Sequence, residues 1–349
     1  MNAIIGWVKM NAMVKQAADL TPQVRGPTNG DIHFDIDLID KCNLRCPTCF
    51  RGTGAQKNTQ AALPLEKFRE IVAKARAEGY PNICLINWTE AFLLESLDRY
   101  VAIVKEFDGL DCWISSNLSL PPPRYLPSII SALSAGVDIL FISVSGWSQP
   151  VYEINHAKGR VDWIKENLAG IADALRDGRV RTSVWIRYLE WPYNAHEGLP
   201  WEQLANQYGI GFQAVPAHGD PLKPLPNAQV YGQHLENCRN ATVDHRAPIE
   251  MEVPEKVCGL IIDRAAIDAR GDAYLCCAYP NAPELRIGRY VDIDEDDFLL
   301  KRHTHWFCTL CQIPMRDAND RDRDRYRRAL EAKGMLKQTR VPRTQRCVG

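Results

Sequence analysis

Three cysteines, Cys42, Cys46 and Cys49, fall within the stretch "CNLRCPTC" in a C-x3-C-x2-C pattern. Three is odd for disulfides and one short of a closed tetrahedral zinc site. Three thiolates on one loop hold three irons of a cubane cluster and leave the fourth iron free for a substrate or cofactor. A zinc reading needs a fourth ligand, and no histidine follows at the usual spacing; loop thiols without metal are the remaining reading. A second group lies far downstream. Cys258 precedes Gly271 and Cys276 in a C-x12-G-x4-C pattern, and Cys308 and Cys311 form a C-x2-C pair. Four thiolates complete one site, either tetrahedral zinc or a fully ligated cluster.

The elements that must position these groups alternate along the chain. Strand-like runs cover 32–40, 82–87, 110–116, 137–145, 180–191 and 210–217, with helix-like segments between them. The segment "LPLEKFREIVAKARAEG" places Leu65, Phe68, Ile71, Val72 and Ala75 on one helical face. Strands alternating with helices of this length predict parallel βαβ units. Six units are too few for a closed eight-stranded barrel, so the expected fold class is α/β, a partial (β/α)6 TIM-type barrel, with a small C-terminal cysteine-rich domain. Its functional rim lies at the C-terminal ends of the strands, and the first cysteine loop follows strand 1 directly. The expected division is an N-terminal helix and linker (1–30), the barrel (31–225), the cysteine-rich unit (226–315) and an Arg-rich tail (316–349). "DARGDAYLCC" reads as a hairpin that brings Cys258 and Cys276 together. Cys84 and Cys112 sit inside strand-like runs and are expected in the core.

Lys plus Arg (42) against Asp plus Glu (43) leaves a net charge of −1, so no global field points to nucleic acid or an anionic membrane. No apolar run reaches the ~18–20 residues of a membrane helix. The first residues, "MNAIIGWVKM", lack a basic leader before an apolar block, which makes the cytoplasm the expected compartment. Disulfides are rare there, so clustered thiols ask for metal.

With these motifs in order, the chain resembles the radical S-adenosylmethionine (SAM) enzymes over residues 31 to about 315. Their signature is a C-x3-C-x2-C loop after the first strand of a six-unit partial barrel. The resemblance implies a [4Fe-4S] cluster with an open iron on Cys42, Cys46 and Cys49, and SAM bound to that iron. It carries further residues across. "NWTEAF" stands in place of a Gly-Gly-Glu-type turn that meets the SAM amino group. Glu90 matches the carboxylate, and Trp88 and Thr89 replace the glycines. Ser116 and Asn117 end strand 3, where ribose and carboxylate contacts lie; Ser143 and Ser145 end strand 4. His156 stands where an arginine is expected for the SAM carboxylate, with Lys158, Arg160 and Arg187 as substitutes. Phe50 is placed to cover the adenine, since Thr48 occupies a position that is often aromatic.

The second cysteine group is similar to the SPASM/twitch auxiliary-cluster domain of the same enzymes. The next cysteine of the full form would fall at Asp317 and is absent, which implies the shortened twitch form with one auxiliary [4Fe-4S] cluster on Cys258, Cys276, Cys308 and Cys311. The implied activity is hydrogen-atom abstraction from a polar small molecule of the sugar, aminocyclitol or nucleoside type. The auxiliary cluster accepts an electron, and the net reaction is an oxidation. Trp191, Tyr193, His196, His218, Asp220 and His245 are residue types suited to such a substrate. Alternatives are a redox-neutral epimerase or decarboxylase with Cys238, Cys277 or Cys347 as hydrogen donor, a peptide-modifying maturase, and a zinc-stabilised protein without catalysis. The expected partners are a small-molecule substrate and an electron donor such as flavodoxin or ferredoxin, with no nucleic acid and no membrane.

Overall fold

A computed structural model describes residues 32–240 and 250–337. The segment expected to form an N-terminal helix, His245 and Cys347 lie outside these residues. Six strands, β1 (His33–Ile36), β2 (Asn82–Leu85), β3 (Asp111–Ser116), β4 (Ile139–Val144), β5 (Ser183–Glu190) and β6 (Gly211–Pro216), pair in parallel in sequence order. Between them run α1 (Leu65–Ala77), α2 (Leu97–Lys105), α3 (Pro122–Ser134), the pair α4 (Gln149–Asn155) and α5 (Val161–Arg176), and α6 (Gly198–Tyr208). The six βα units expected from periodicity are therefore present.

The helix faces explain the main core. Helix α1 buries Phe68, Ile71, Val72 and Ala75, at helical spacing, while Glu66 in its first turn and Lys74 and Arg76 in its last complement the helix dipole. These residues pack on the outward face of the sheet, which presents Phe34, Ile36, Ile83, Ile114, Leu140, Ile142 and Ile186. Strand alternation sends the other residues inward. That inner face is partly apolar, with Cys84, Trp113, Ile139, Phe141 and Trp185 packed together. It is polar on β1, where His33, Asp35 and the following Asp37 point the same way.

The sheet does not stop at six strands. After α7 (Ala228–Asn240), the short β7 (Lys256–Val257) and α8 (Gly259–Ile262), strand β8 (Arg264–Ile267) pairs in parallel with the free edge of β1. Strands β9 (Asp272–Tyr274) and β10 (Arg286–Arg289) continue antiparallel, giving one nine-stranded sheet in the order β10-β9-β8-β1-β2-β3-β4-β5-β6. The cysteine-rich region is thus woven into the barrel's own sheet, and the expected hairpin is β8–β9, turning at Gly271 with φ +83°. Helices α9 (Glu295–His303) and α10 (Asp320–Ala332) pack on a second core of Val257, Ile261, Ile262, Leu299, Leu300, Tyr326, Ala329 and Leu330. Part of the Arg-rich tail is therefore a docked helix, held at its start by a capping box between Asn319 and Asp322. No described helix is long and apolar enough to cross a membrane.

Candidate active site

The loop carrying Cys42, Cys46 and Cys49 leaves β1 at the C-terminal rim and folds back on itself. Cys49 N–H donates to the Cys46 carbonyl (3.0 Å) and Thr53 N–H to the Cys49 carbonyl (3.1 Å). Gly52 closes the turn: a Cβ there would lie 1.9 Å from the Cys46 carbonyl oxygen. Arg51 fixes the loop to its neighbours. It is 3% exposed, donates to the Trp88 carbonyl (2.8 Å) and the Lys57 carbonyl (3.0 Å), and pairs with the Asp40 carboxylate (2.7 Å). Arg51 carries no mark in the sequence, because an arginine beside a motif looks like a surface charge until three loops close on it.

The three thiols share one environment. Burial pushes the Cys42 thiol up to about 12, with the Glu90 and Cys49 charges adding to the rise. Burial likewise raises Cys46, then the charges of Cys49 and Cys42. Burial raises Cys49 too. Such thiols resist ionisation by themselves, so a metal is what would draw them to thiolates.

Asp37 and Glu90 organise the wall beside the loop. Asp37 accepts from Trp88 N–H (3.2 Å) and the Thr89 hydroxyl (2.6 Å), and Glu90 N–H donates to the Lys41 carbonyl (3.2 Å). Glu90 is 1% exposed and accepts from Ser116 Oγ (2.8 Å), Asn117 N–H (2.8 Å) and Phe92 N–H (3.2 Å). Glu90 and Ser116 thus bond each other within the wall. Asn117 reaches the Cys42 sulfur (4.0 Å) and donates to Asn43 (3.1 Å). Burial holds Asp37 and Glu90 both up at about 7.

This carries a prediction. Asp37 has an ordinary value of 3.8, so the folded chain binds the extra proton between about 4 and 7 and loses stability as pH rises through that window. Asp37→Asn keeps an oxygen acceptor for Trp88 and Thr89 but carries no charge. Its unfolding free energy relative to the unsubstituted chain, measured by denaturant titration, should climb from pH 5 to pH 8 by an amount on the order of a few kcal/mol. A difference that stays flat across this range would contradict the assignment.

The remaining expected SAM contacts are spread more widely. Ser145 is fully buried; its hydroxyl donates to the Tyr152 carbonyl (3.2 Å) and meets His156 Nδ1 (2.5 Å). His156 stacks on Tyr152 (4.8 Å between centroids), and burial lowers it to about 4, so it is neutral. Lys158 and Arg160 are exposed; Arg160 lies over the Trp163 ring (5.9 Å). Thr48 donates to the buried Asn155 (2.6 Å). Ser143 faces Arg187 across the β4–β5 register, on the inner side of the sheet. Phe50 is buried against Trp88 (5.6 Å) and Tyr231 (5.2 Å), and Tyr279 lies beyond (6.5 Å).

The second cysteine group assembles around another buried arginine. Arg302, 1% exposed, donates to the carbonyls of Leu275 (3.0 Å), Leu260 (3.0 Å), Ile261 (2.5 Å) and Arg264 (2.6 Å), tying the segments that carry Cys258 and Cys276 to α9. Three of these thiols are raised, and the Cys311 charge bears on two of them. Burial is the first cause of each rise, and then Cys311 raises Cys258, Cys308 and Cys258 raise Cys276 to about 12, and Cys258 and Cys311 raise Cys308 to about 12. Tyr279 Oη lies 3.5 Å from the Cys311 sulfur. Cys277 meets different charges from Cys276: after burial, it is Asp35 and Arg264 on the barrel's inner side that bear on it most. Cys238 sits on α7 beside His234 (3.6 Å).

Spacing bears on which metal these sets suit. Four sulfurs on one zinc at 2.3 Å lie about 3.8 Å apart. Among the described residues, the trio of His, Cys, Asp or Glu with donor atoms all within 4.8 Å is His33, Asp35 and Cys84, and it includes no member of either cysteine set. Both sets are wider than a mononuclear site needs and have the all-sulfur chemistry of an iron–sulfur cluster. A cleft of about 590 Å3 opens elsewhere, beside Lys67, Arg270, Arg286 and Arg289, and no cysteine lines it.

A family model of the Radical SAM superfamily matches residues 36–189. No curated protein matches the chain. Among solved structures, the chain is similar to "anSMEcpe with bound AdoMet", at 12% identity and a TM-score of 0.52, over 81% of this chain and 86% of that one. The same protein with AdoMet and the Cp18Cys peptide gives 11% identity and a TM-score of 0.51, over 80% and 86%. BtrN in complex with AdoMet and 2-DOIA gives 14% identity and a TM-score of 0.45, over 81% and 87%. At these identities the likeness to anSMEcpe is one of fold.

Proposed function

We propose that this chain, whose residues 36–189 carry a radical SAM domain, is a SAM-dependent radical enzyme with its cluster on Cys42, Cys46 and Cys49. The observation that carries this reading is the placement of three mutually interacting thiols on the loop leaving β1, at the rim where such a fold puts its chemistry. When bound, the [4Fe-4S] cluster and SAM supply a 5′-deoxyadenosyl radical able to take a hydrogen atom from an unactivated carbon. The chain's own residues position and enclose. Arg51 and Asp37 lock the cysteine loop and the Trp88–Thr89 turn together. Asn117 presents its amide beside the Cys42 sulfur, and we assign it and the Trp88–Thr89 turn to the wall against which SAM lies. The apolar inner floor of Trp113, Phe141 and Trp185 keeps water from the reacting carbon.

We assign Cys258, Cys276, Cys308 and Cys311 to one auxiliary cluster with no open iron, in a twitch-type unit, and favour net oxidation of a small polar molecule of the sugar, aminocyclitol or nucleoside type. One observation supports a redox-neutral second reading. The inner-side charges of Asp35 and Arg264 act on Cys277, and burial keeps its thiol protonated, up to about 12, as a hydrogen donor must be.

The test is anaerobic preparation followed by metal analysis and incubation with SAM and dithionite. The expected outcome is roughly eight irons per chain and release of 5′-deoxyadenosine and methionine. A colourless chain with zinc and no iron would overturn the reading.

A further inference from the structure

Arg187 is the most unusual cation on the barrel's inner side. It sits in β5, between Ser143 on β4 and Gln213 on β6 in register, so the three form one inward polar row. Its guanidinium carbon lies over the Phe141 ring, 3.9 Å from the centroid. Its Nε is buried and has no hydrogen-bond partner among the described residues. A guanidinium carries five donors in a planar fork, and a buried one among them is rarely left without an acceptor. Across the barrel, Arg264 pairs with Asp35 (3.1 Å). Asp35 is 3% exposed, and its other oxygen is buried without a partner. Asp35 is therefore already paired with Arg264, and Asp37, the next inward carboxylate of the β1 segment, is taken by Trp88 and Thr89, so neither is bonded to Arg187. His33 adds no charge, since burial, then Arg264 and Arg187, push it down to about 3. Burial lowers Arg187 only to about 10, so it stays charged at neutral pH.

We infer that Arg187 receives an oxyanion of the substrate, a carboxylate or a phosphate ester, with Ser143 and Gln213 flanking it to meet hydroxyls. This rests on the radical SAM reading and narrows its substrate class from polar to anionic. It also separates Arg187 from SAM. The SAM carboxylate belongs at the open iron on the rim, whereas this guanidinium folds down onto Phe141, below the end of β4. The substrate's anion then lies deep in the barrel, and its reacting carbon points up toward the cysteine loop.

The test uses inorganic phosphate and acetate as probes, titrated into the anaerobically prepared full chain with and without saturating SAM. Tryptophan emission is the readout, because Trp113 and Trp185 belong to the floor that includes Phe141. At least one probe should give a saturable change, and SAM should not compete with it. Tighter phosphate binding indicates a phosphate ester and tighter acetate binding a carboxylate. Arg187→Gln should weaken binding about 10- to 100-fold, the range of a hydrogen bond to a charged group. Arg187→Lys, which keeps the charge, should fall between, and the exposed Arg181→Gln should bind as the unsubstituted chain does. Wild-type melting temperatures in the variants exclude misfolding as the cause. The inference is overturned if neither probe saturates, if Arg187→Gln and Arg187→Lys both bind unchanged, or if SAM displaces the probe. SAM cleavage is read separately, so a chain that cleaves SAM yet binds neither anion loses this inference alone.

Discussion

Replacing Cys46 with alanine is expected to abolish release of 5′-deoxyadenosine from SAM and to lower the iron content from about eight to about four per chain. The effect is large because the loop offers three sulfurs and has no spare: the Cys49 charge raises the Cys42 and Cys46 thiols, and the Asp37 and Glu90 carboxylates nearby are already engaged. Glu90 accepts from Ser116, Asn117 and Phe92, and Asp37 accepts from Trp88 and Thr89. Neither is free to replace a missing ligand. The global fold should survive, since the loop lies on the rim, outside the main core of Phe34, Ile36, Phe68 and their neighbours. Iron analysis with a melting curve separates the two effects. A Cys46→Ala chain that still cleaves SAM would contradict the assignment of the loop.

The neighbouring pair Cys276 and Cys277 gives the second large effect. After burial, Arg302, Cys308 and Cys258 bear on Cys276, whereas Asp35 and Arg264 bear most on Cys277, so the adjacent thiols sit in different charge surroundings. Cys276→Ser should lose about half the iron while the first cluster remains. Cys277→Ser should keep all of it. Turnover in Cys277→Ser then decides between the two reaction classes: retained activity fits net oxidation, and lost activity with full iron fits hydrogen donation by this thiol. Equal iron loss in both variants would mean that the second site is not the set of four assigned here.

Much of this was readable from sequence for a physical reason. The six strands and their helices follow local periodicities, and a cluster on one loop needs its ligands close together in the chain. What was hidden depends on pairing across long separations. Strand β8 joins β1 across more than 220 residues, and nothing in "DRAAIDARG" indicates that it will extend the barrel's sheet rather than build a separate one. Arg51 and Arg302 read as ordinary charges, yet each is the buried tie of one cysteine set, because only the folded loops bring so many carbonyls to one guanidinium. One signal was available and passed over. In "HFDID", polar His33, Asp35 and Asp37 alternate with apolar Phe34 and Ile36, the mark of a strand whose inner face meets a polar chamber. The lumen row around Arg187 could not be assembled the same way, since its members come from three strands.

The most direct measurement is electron paramagnetic resonance of the anaerobically reduced chain, recorded before and after addition of SAM. Two iron–sulfur signals are expected, one that changes on SAM addition and is absent in Cys46→Ala, and one that does not change and is absent in Cys276→Ser. Iron signals none of which responds to SAM, or no iron signal at all, would contradict an open cluster on Cys42, Cys46 and Cys49.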